Sequence, residues 1–378
     1  METVERKKCL MCEGELEEVY TFKDFPIYMG AAEHPFKEDT FCDMAFVGCV
    51  QCGAVQLQNL IPSDILYANG HVGTVGKTWK RHHEEFCEFA TKYVYGRIVE
   101  IGGANLIVAN MLSEISTVDE IVVFDNNLSQ YGSSASDKIL LREEFFNLDS
   151  APSRVNCLIH SHVLEHLYNP IEEIAAMANT LEDGDHMVCA VPLIDNMIKD
   201  NFTNAMNFEH TYMLTNEMIY NIMTNARLEV IAVKQFSPHV SFYAAKKDSM
   251  RRRHVVHDYT GSSNVLTGFL NHYLQEVDKI SGQIGNPPDP NNTFIFGGHI
   301  FTQYLLNFGL KEELFSNVLD NDSNKIGQRL YGSRLEIRPP KILKDYESPL
   351  VVLKAAMYTE EIKKDILENI NPNTRFIL

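Results

Sequence analysis

The chain has 378 residues, of which 45% are hydrophobic and 22% charged, and its formal net charge is −18. This length favours two or three domains, and the composition is typical of a globular protein. The acidic balance argues against a nucleic-acid partner, because phosphate backbones need a basic face. Neither a transmembrane helix nor a signal peptide is indicated, since no apolar run is long enough. We therefore expect a cytoplasmic protein with neither nucleic acid nor membrane as a partner.

The N-terminal segment is rich in cysteine. Residues 9–12 read CLMC and residues 49–52 read CVQC, and in a reducing compartment such pairs indicate metal binding rather than disulfides. A structural zinc ion takes four thiolates, two from each tight turn. The alternative is four buried or redox-active cysteines, and Cys42 is expected to be a small apolar residue rather than a fifth ligand. The predicted zinc ligands are Cys9, Cys12, Cys49 and Cys52.

The middle of the chain alternates between strand and helix patterns. Apolar residues recur at helical spacing in residues 78–94, and a strand, a glycine turn and a helix follow in residues 96–112. Such alternation predicts a parallel sheet with ligands at the carboxyl ends of its strands. Further predicted strands or strand–helix units lie at 118–127, 137–146, 155–167 and 171–192.

Acids and glycines close the first two of these strands. Gly102 and Gly103 end the first, where glycine lets the main chain approach a ligand. Asp125 ends the second, 23 residues after Gly102, where an acid can bind ribose hydroxyls. NAD and S-adenosylmethionine both fit this pattern. We favour S-adenosylmethionine, because the later glycines of a dinucleotide fingerprint are missing and Glu100 can meet a cationic ammonium group.

The C-terminal third repeats the strand–helix theme after a basic junction at 249–258. A long helix is predicted at 266–284, and strand-to-helix units at 293–310, 317–332 and 349–367. The FGGH turn at 296–299 is either a phosphate site or a tight turn that serves only the fold. We predict an α/β protein with three domains: a zinc-binding module at 1–70, a cofactor-binding domain at 71–248 and a second α/β domain at 249–378.

Taken together, these segments resemble the bacterial sugar C-methyltransferases, which act on nucleotide-linked keto-deoxysugars. The similarity runs along nearly the whole chain through CLMCEGEL, CVQCGAVQLQNLIPSDILY, VEIGGAN, HVLEHLYNP, LEDGDHMVCAVP, NFEHTYMLT and VLDNDSNKIGQRLYGSRLEIRPP. The resemblance implies a Rossmann-like S-adenosylmethionine methyltransferase domain between a small N-terminal zinc module and a second, Rossmann-like C-terminal domain. It also implies a nucleotide-sugar as the small-molecule substrate.

The resemblance assigns the residues around the cofactor. It implies that Asp125 binds the ribose hydroxyls, and that Phe145 or Phe146 flanks the adenine unless these two rings only pack in the core. The residues implied to lie at the methionine and ribose are Glu100, Gly102, Gly103 and Asn105.

The resemblance also implies a set of catalytic residues. His210 would remove a proton from a carbon beside a ketone, since the pKa of histidine is suited to general base catalysis near neutral pH. Glu209 would orient or tune His210, and His166 would donate to the enolate oxygen. The alternatives are a surface Glu-His pair and a core or capping His166. Asn207 occupies the family's tyrosine position and can donate a hydrogen bond but not a proton.

Further departures from the family fall where the acceptor should bind. Residues 67–83 replace a tyrosine- and serine-rich loop, and the turn at His239 differs from a His-Gly-Gly-Ser type turn. Leu106 replaces a usual glycine on the cofactor side. His239 is predicted to bind substrate, and Lys77, with Lys80 and Arg81, is predicted to meet a diphosphate, although a solvated charge run is the alternative.

Three functional interpretations follow. The first is C-methylation of a nucleotide-linked keto-deoxysugar through an enolate, with S-adenosylmethionine as methyl donor. The second keeps the donor but methylates oxygen or nitrogen of a nucleotide-linked sugar or related small molecule, as Asn207 suggests. The third is a non-enzymatic, zinc-containing binding module, which the loss of glycine at position 106 would allow.

Overall fold

The computed structural model describes residues 2–67, 77–103, 105–128, 136–250, 257–285, 289–355 and 358–378, without the side chain at position 77. The chain forms two compact units: residues 1–19, 46–200 and 209–263 form the first, and residues 20–45, 201–208 and 264–378 form the second. The proposed domain boundaries at 70 and 248 stay predictions. Within the described ranges no helix has both the length and the apolar character needed to span a membrane.

The N-terminal elements are short strands that frame the cysteine pairs. They are β1 Val4–Glu5, β2 Leu16–Pro26, β3 Ala31–Ala32, β4 Phe41–Cys49, β5 Val55–Leu57, β6 Asn59–Leu60 and α1 Ser63–Leu66. Strand β4 pairs antiparallel with β5, with Phe46 opposite Leu57 and Gly48 opposite Val55. The second cysteine pair therefore occupies the hairpin turn between them.

The central elements form a seven-stranded sheet in the order β12-β13-β11-β10-β7-β8-β9. The elements are α2 Lys77–Ala90, β7 Gly96–Ile101, α3 Ile107–Ser113, β8 Val118–Phe124, β9 Ile139–Arg142, β10 Val155–Ser161, α4 Pro170–Ala178, β11 Leu181–Pro192, α5 Ile194–Lys199, α6 Asn216–Asn225, β12 Leu228–Ser237 and β13 Val240–Lys247. Strands β9, β8, β7, β10 and β11 pair in parallel. The predicted strands and the parallel sheet are thus confirmed.

The centre of this sheet is apolar on both faces, as the continuous apolar runs of a parallel sheet require. Ile98, Ile121, Cys157 and Val188 belong to one buried core cluster with α2 and α3. The chain order reverses beside β7, which has β8 on one side and β10 on the other. Ligands bind outside the carboxyl ends of strands at such a reversal. A ligand site is therefore expected beside the segments that follow β7, β8 and β10.

A hairpin that the sequence analysis did not anticipate completes the sheet. Strand β13 pairs antiparallel with both β11 and β12. In β12 exposed or half-buried positions alternate, and Ile231 and Val233 remain 44% and 45% exposed. Few side chains of this edge strand reach the core. Its sequence therefore lacks the continuous apolar run by which the inner strands were predicted.

The second unit contains a smaller parallel sheet in the order β17-β15-β14-β18-β19. The elements from the end of the first unit onward are α7 Ser262–Ile284, β14 Thr293–Phe296, α8 Ile300–Asn307, β15 Asn317–Leu319, β16 Arg329–Leu330, β17 Ile337–Arg338, β18 Leu350–Val352, α9 Thr359–Asp365 and β19 Arg375–Ile377. The predicted second α/β domain is confirmed as a fold.

One predicted element of this unit is wrong. No helix follows β15: residues 320–328 form turns. The main-chain N–H of Asp322 donates to Asp320, and that of Asn324 donates to Asp322. Asp and Asn side chains that accept from the main chain two residues on stabilise turns at the expense of helix. The phosphate site at 296–299 stays a hypothesis, and Asp320 accepts from the main-chain N–H of Gly298 there at 2.8 Å.

Candidate functional site

A glycine turn after β7 is the first part of the site. Gly102 has a φ of +75°, and a Cβ there would lie 2.7 Å from Cγ2 of Val163. Its N–H donates to the carbonyl of Phe124 at the end of β8. Glycine is therefore required at this position for two reasons. Its φ is positive, and the segment after β10 approaches too closely for a side chain.

Leu106 adopts the left-handed conformation of the glycine that it replaces in the resemblance. Its φ is +54° and it immediately precedes α3, with its side chain 3% exposed. Leucine at this position therefore adopts a backbone conformation that glycine takes more readily. Next to it, Oδ1 of Asn105 accepts from the N–H of Ile107, so this predicted cofactor residue caps α3.

Glu100 lies beneath the turn instead of lining a cavity. It is 5% exposed, and its Oε2 has no hydrogen-bond partner among the described residues. A Cβ on Gly103 would come within 2.7 Å of the Glu100 carboxyl carbon, so Gly103 leaves room for this side chain. Burial, and then the nearby Asp125, raise the pKa of Glu100 to about 8.

A cavity of about 460 Å³ opens at the carboxyl ends of β7, β8 and β10. Its volume is within the usual range for small-molecule sites, about 300–1,000 Å³. The lining residues are Ser63, Tyr67, Ile101, Gly102, Phe124, Asp125, Asn126, Asn127, Phe145, Phe146, His162, Val163, His166, Leu167, Tyr168, Glu173 and Met177. Five predicted site residues are among them: Gly102, Asp125, Phe145, Phe146 and His166.

The wall formed after β8 combines acid, amide and aromatic groups. Asp125 accepts from the main-chain N–H of Asn127 at 2.8 Å. Phe146 packs edge-on against Phe124 with ring centroids 5.3 Å apart, whereas Phe145 is 53% exposed. Phe146 is therefore anchored as one aromatic wall, and Phe145 presents an open ring face.

The segment after β10 contributes histidines to the site. Nδ1 of His166 lies 3.1 Å from the carbonyl oxygen of Glu209 and 3.3 Å from the hydroxyl of Tyr67. The rings of His166 and His210 have centroids 5.2 Å apart. Two predicted catalytic residues that are 44 positions apart in the sequence are thus neighbours, and both are half-buried.

Sequence reasoning missed three residues of this side. Glu165 is 1% exposed, with His162 Nδ1 at 3.4 Å and His166 Nε2 at 3.6 Å from its Oε1. His162 has a φ of +56° and lines the cavity. Histidine adopts this conformation uncommonly, and such outliers cluster at functional sites. Tyr67 is the last residue of the CVQCGAVQLQNLIPSDILY motif, and the HVLEH segment at 162–166 contains the other two.

Other predicted residues are placed elsewhere. Asn207 belongs to the second unit, where it is 4% exposed and its amide donates to the carbonyl of Asn204. His239 lies in the turn between β12 and β13, with its Nε2 2.6 Å from the carboxylate of Asp200, and it does not line the cavity. Lys77 begins α2, and its side chain lies outside the described part, as do residues 68–76 of the predicted acceptor loop.

The exposed basic residues near the start of α2 are paired on their own helix. Lys80 lies 3.8 Å from Glu84, and Arg81 lies 3.7 Å from Glu85, each one turn along. Surface pairs of this type contribute little. The geometry favours the interpretation of Lys80 and Arg81 as a solvated charge run.

The four predicted metal ligands form one cluster. Each of their sulfur atoms lies within 4.8 Å of the other three. The Cys9–Cys52 and Cys12–Cys49 sulfur separations are 3.6 and 3.5 Å. Zinc–sulfur bonds of about 2.3 Å place tetrahedral thiolates roughly 3.8 Å apart, so the cluster has the dimensions of a four-thiolate metal site.

Comparison with known proteins identifies the class of the central domain. Residues 78–233 match the family model described as "Methyltransferase domain". This confirms the predicted methyltransferase domain, its Rossmann-like α/β fold and the enzyme interpretation. The strand order of the sheet gives the same fold independently of that match. No curated protein matches the chain.

The solved structures to which the chain is similar include methyltransferases from several organisms. Human N-acetylserotonin methyltransferase, solved with S-adenosylmethionine, is 16% identical over 45% of this chain and 53% of its own, with a TM-score of 0.39. An O-methyltransferase family protein from Burkholderia thailandensis is 11% identical over 45% and 56%, with a TM-score of 0.37. An S-adenosylmethionine-dependent methyltransferase from Mesorhizobium loti is 13% identical over 40% and 90%, with a TM-score of 0.34.

Proposed function

We propose that this methyltransferase uses S-adenosylmethionine to methylate a carbon beside the ketone of a nucleotide-linked keto-deoxysugar. The observation that carries the proposal is the shared cavity: the glycine turn, Asp125 and His166 all line it, and the ring of His210 lies 5.2 Å from that of His166. A methyl donor and a base must both reach the acceptor carbon, and His210 adjoins the cavity through His166.

The residues on the donor side fit S-adenosylmethionine. The space that a Cβ on Gly102 would fill leaves the main chain open to a ligand, and the Asp125 carboxylate on the rim suits ribose hydroxyls. Phe145 and Phe146 provide aromatic surface for an adenine. The cofactor supplies an electrophilic methyl group on a sulfonium. Glu100, whose Oε2 is buried without a partner, supplies negative charge beneath the turn when ionised.

On the acceptor side, two histidines divide the proton chemistry. His210 takes the proton from the carbon beside the ketone, and the C–H electron pair becomes the enolate. His166 would stabilise the enolate oxygen by hydrogen bonding, so that the carbon could accept the methyl group that the cofactor would supply from its sulfonium. His210 then releases its proton to solvent. Glu209 orients His166 through its main-chain carbonyl, and its side chain is proposed to tune His210.

A second candidate is methylation of oxygen or nitrogen of a nucleotide-linked sugar or related small molecule. It is favoured by Asn207, which replaces the tyrosine expected to help stabilise an enolate. In that reaction His210 deprotonates a hydroxyl or an amine, and no enolate is needed. Solvent deuterium entering the acceptor carbon without methyl transfer would identify the enolate route.

The test is methyl transfer from S-adenosylmethionine to a panel of nucleotide-linked 4-keto-6-deoxysugars, with the product assigned by NMR. A carbon-bound methyl that is lost in His210→Ala supports the proposal. A methyl on oxygen or nitrogen supports the second candidate and contradicts the first. The matched control is His272→Ala, which removes a histidine from α7, and its turnover should equal that of the wild type.

We also propose that the cysteine cluster holds a structural zinc ion. Four thiolates within tetrahedral distances leave no open coordination position, so a chemical role is not expected. Metal analysis should give one zinc per chain, and Cys12→Ser should lose it together with part of the thermal stability. Cys42→Ser is the control, because Cys42 is not part of the cluster. Zinc that is retained in Cys12→Ser would contradict the assignment.

A further inference from the structure

A buried carboxylate next to the catalytic histidines has no role in the mechanism above. Glu165 is 1% exposed, and neither of its oxygens accepts a hydrogen bond among the described residues. Burying an ionised carboxylate is costly unless a positive charge compensates it. The groups near enough to supply that charge are imidazoles: His162 at 3.4 Å, His166 at 3.6 Å, and His210 within 4.8 Å.

The contacts of His166 show which imidazole carries the charge. Its Nδ1 lies 3.1 Å from the carbonyl oxygen of Glu209, which can only accept, and 3.3 Å from the hydroxyl of Tyr67, which can also accept, so both neighbours suit a hydrogen on Nδ1. Its Nε2 faces the Glu165 carboxylate at 3.6 Å, and an ionised carboxylate also only accepts. An unprotonated Nε2 would place a lone pair against that negative charge. A hydrogen on both nitrogens satisfies both neighbours.

We propose that Glu165 is a positioning residue that keeps His166 as an imidazolium and thereby leaves His210 as the base. The inference rests on the proposed function, which uses His166 at the acceptor oxygen and His210 at the acceptor C–H. An imidazolium at His166 acts as a hydrogen-bond donor, and His210, whose ring centroid lies 5.2 Å away, is left as the proposed base. A single buried acid would thus give two similar histidines opposite roles.

The surroundings of Glu165 favour this protonation pattern. Burial alone would raise the pKa of Glu165, but the neighbouring imidazoles, His166 first among them, lower it to about 2, so Glu165 keeps its negative charge beside His166. His166 lines the cavity and Glu165 does not, so the imidazolium lies between the carboxylate and a bound acceptor. The other titratable groups that interact with Glu165 are His160 in β10, Cys189 in β11, Tyr212, and Tyr67 after α1.

The direct test is the protonation state of His166 in the full-length protein, measured by long-range proton–nitrogen NMR with His166→Gln for assignment. At pH 7 the wild type should show both nitrogens of His166 protonated. Glu165→Gln should show one unprotonated nitrogen at the same pH, because the charged form has lost its partner. A neutral His166 in the wild type, or no change in Glu165→Gln, overturns the proposal.

A kinetic test measures how kcat depends on the Glu165 carboxylate and on pH. Loss of a general acid or donor costs on the order of 10²-fold in kcat, so Glu165→Gln should lose about that much at pH 8 and recover as the pH is lowered. Glu165→Asp should retain more activity than Glu165→Gln, because it keeps the charge. Glu172→Gln, an equal charge change at an exposed position of α4, should match the wild type. A loss in Glu165→Gln that is equal at every pH overturns the proposal.

Metal analysis separates this arrangement from a cation bound by the same groups. Glu165, His166 and His210 lie close enough to hold a metal ion. One ion that survives Cys12→Ser but is lost in Glu165→Gln would overturn the proposal and make the group a metal site. The NMR measurement needs no acceptor, so its outcome is independent of whether the proposed sugar substrate is right.

Discussion

His166 Nδ1 and the main-chain carbonyl of Glu209 lie 3.1 Å apart. This contact joins the segment after β10 to the segment before α6, each of which contains a Glu-His pair. The histidine of the first pair is thus oriented by the main chain of the second. The Glu209 side chain is not required for this contact, although the peptide that carries it is.

The first prediction distinguishes the contribution of Glu209 to catalysis from that of His210. His210→Ala should lower kcat by about 10²- to 10⁴-fold, because a general base contributes that much, with an unchanged Kd for S-adenosylmethionine. Glu209→Gln keeps the carbonyl that orients His166, so we expect a loss of less than about tenfold in kcat. Steady-state kinetics and calorimetric cofactor binding measure both. Equal losses in the two variants would show that the Glu209 carboxylate itself acts in the proton transfer.

The second prediction concerns Asp125 on the cavity rim. Hydrogen bonds to a charged group contribute about 1.5–3 kcal/mol, so Asp125→Asn should weaken S-adenosylmethionine binding by roughly 10- to 100-fold. kcat at saturating cofactor should change little. Asp119→Asn is the control, since Asp119 is an exposed residue of the same strand, β8. Unchanged cofactor binding in Asp125→Asn would place the ribose elsewhere.

The third prediction tests the glycine turn. Gly102→Ala forces a side chain into a left-handed conformation, which costs about 1–2 kcal/mol, and brings its Cβ within 2.7 Å of Val163. Both the free energy of unfolding and cofactor affinity should fall. Gly268→Ala is the control: it lies in α7 with no atom within 4 Å of the added Cβ, and alanine should stabilise that helix by about 0.5–1 kcal/mol. A fully stable Gly102→Ala would contradict this account of the turn.

The fourth prediction concerns a buried guanidinium that supports the histidine side of the site. Arg6 donates from Nη1 to the carbonyls of Leu57 and Thr211 and from Nη2 to that of Tyr168. Arg6→Met removes these three hydrogen bonds, although the Thr211 carbonyl still accepts from the N–H of Leu57, and it should lower the free energy of unfolding by about 2–3 kcal/mol. Lys7→Met, which changes the same charge at an exposed position, should have little effect in the same denaturant titration. Equal stability of the two variants would mean that water replaces Arg6.

The sequence predicts the fold best where the local residue pattern matches the environment of the segment in the folded protein. The apolar runs within β7, β8 and β10 are buried on both faces, so consecutive apolar residues there predict a strand. The turn at Gly102 is predictable because its conformation excludes most other residues. The helix predicted after β15 is absent because residues 320–328 are rich in Asp, Asn and Ser. Side chains of this type accept hydrogen bonds from the main chain and stabilise turns instead.

The site was only partly predictable, since much of it depends on distances between segments. Nothing local shows that Glu165 is buried among histidines, or that Tyr67 reaches His166 across nearly 100 residues. Leu106 gives the opposite lesson. Leucine in place of the family's glycine suggested a degenerate cofactor site. In the structure, however, Leu106 has a φ of +54°, which is the left-handed conformation that glycine adopts readily. Core burial of its side chain offsets the conformational cost.

The last prediction follows from the raised pKa of Glu100. Burial and then Asp125 move this pKa from 4.5 to about 8. Between these values the folded protein keeps a proton that the unfolded chain has released, so stability falls as pH rises through this window. The effect is on the order of a few kcal/mol. Glu100→Gln, which cannot ionise, should therefore be more stable than the wild type at pH 8, and the two should converge near pH 4.5.

Thermal unfolding of both proteins from pH 4.5 to 9, without cofactor, checks this. Asp125→Asn in the same series should lower the pKa of Glu100 and flatten the wild-type slope, since it removes the like charge. A wild-type protein whose stability stays level from pH 5 to 8 relative to Glu100→Gln would mean that Glu100 is ionised in the folded state. A positive group would then have to compensate the carboxylate beneath the turn before any cofactor binds.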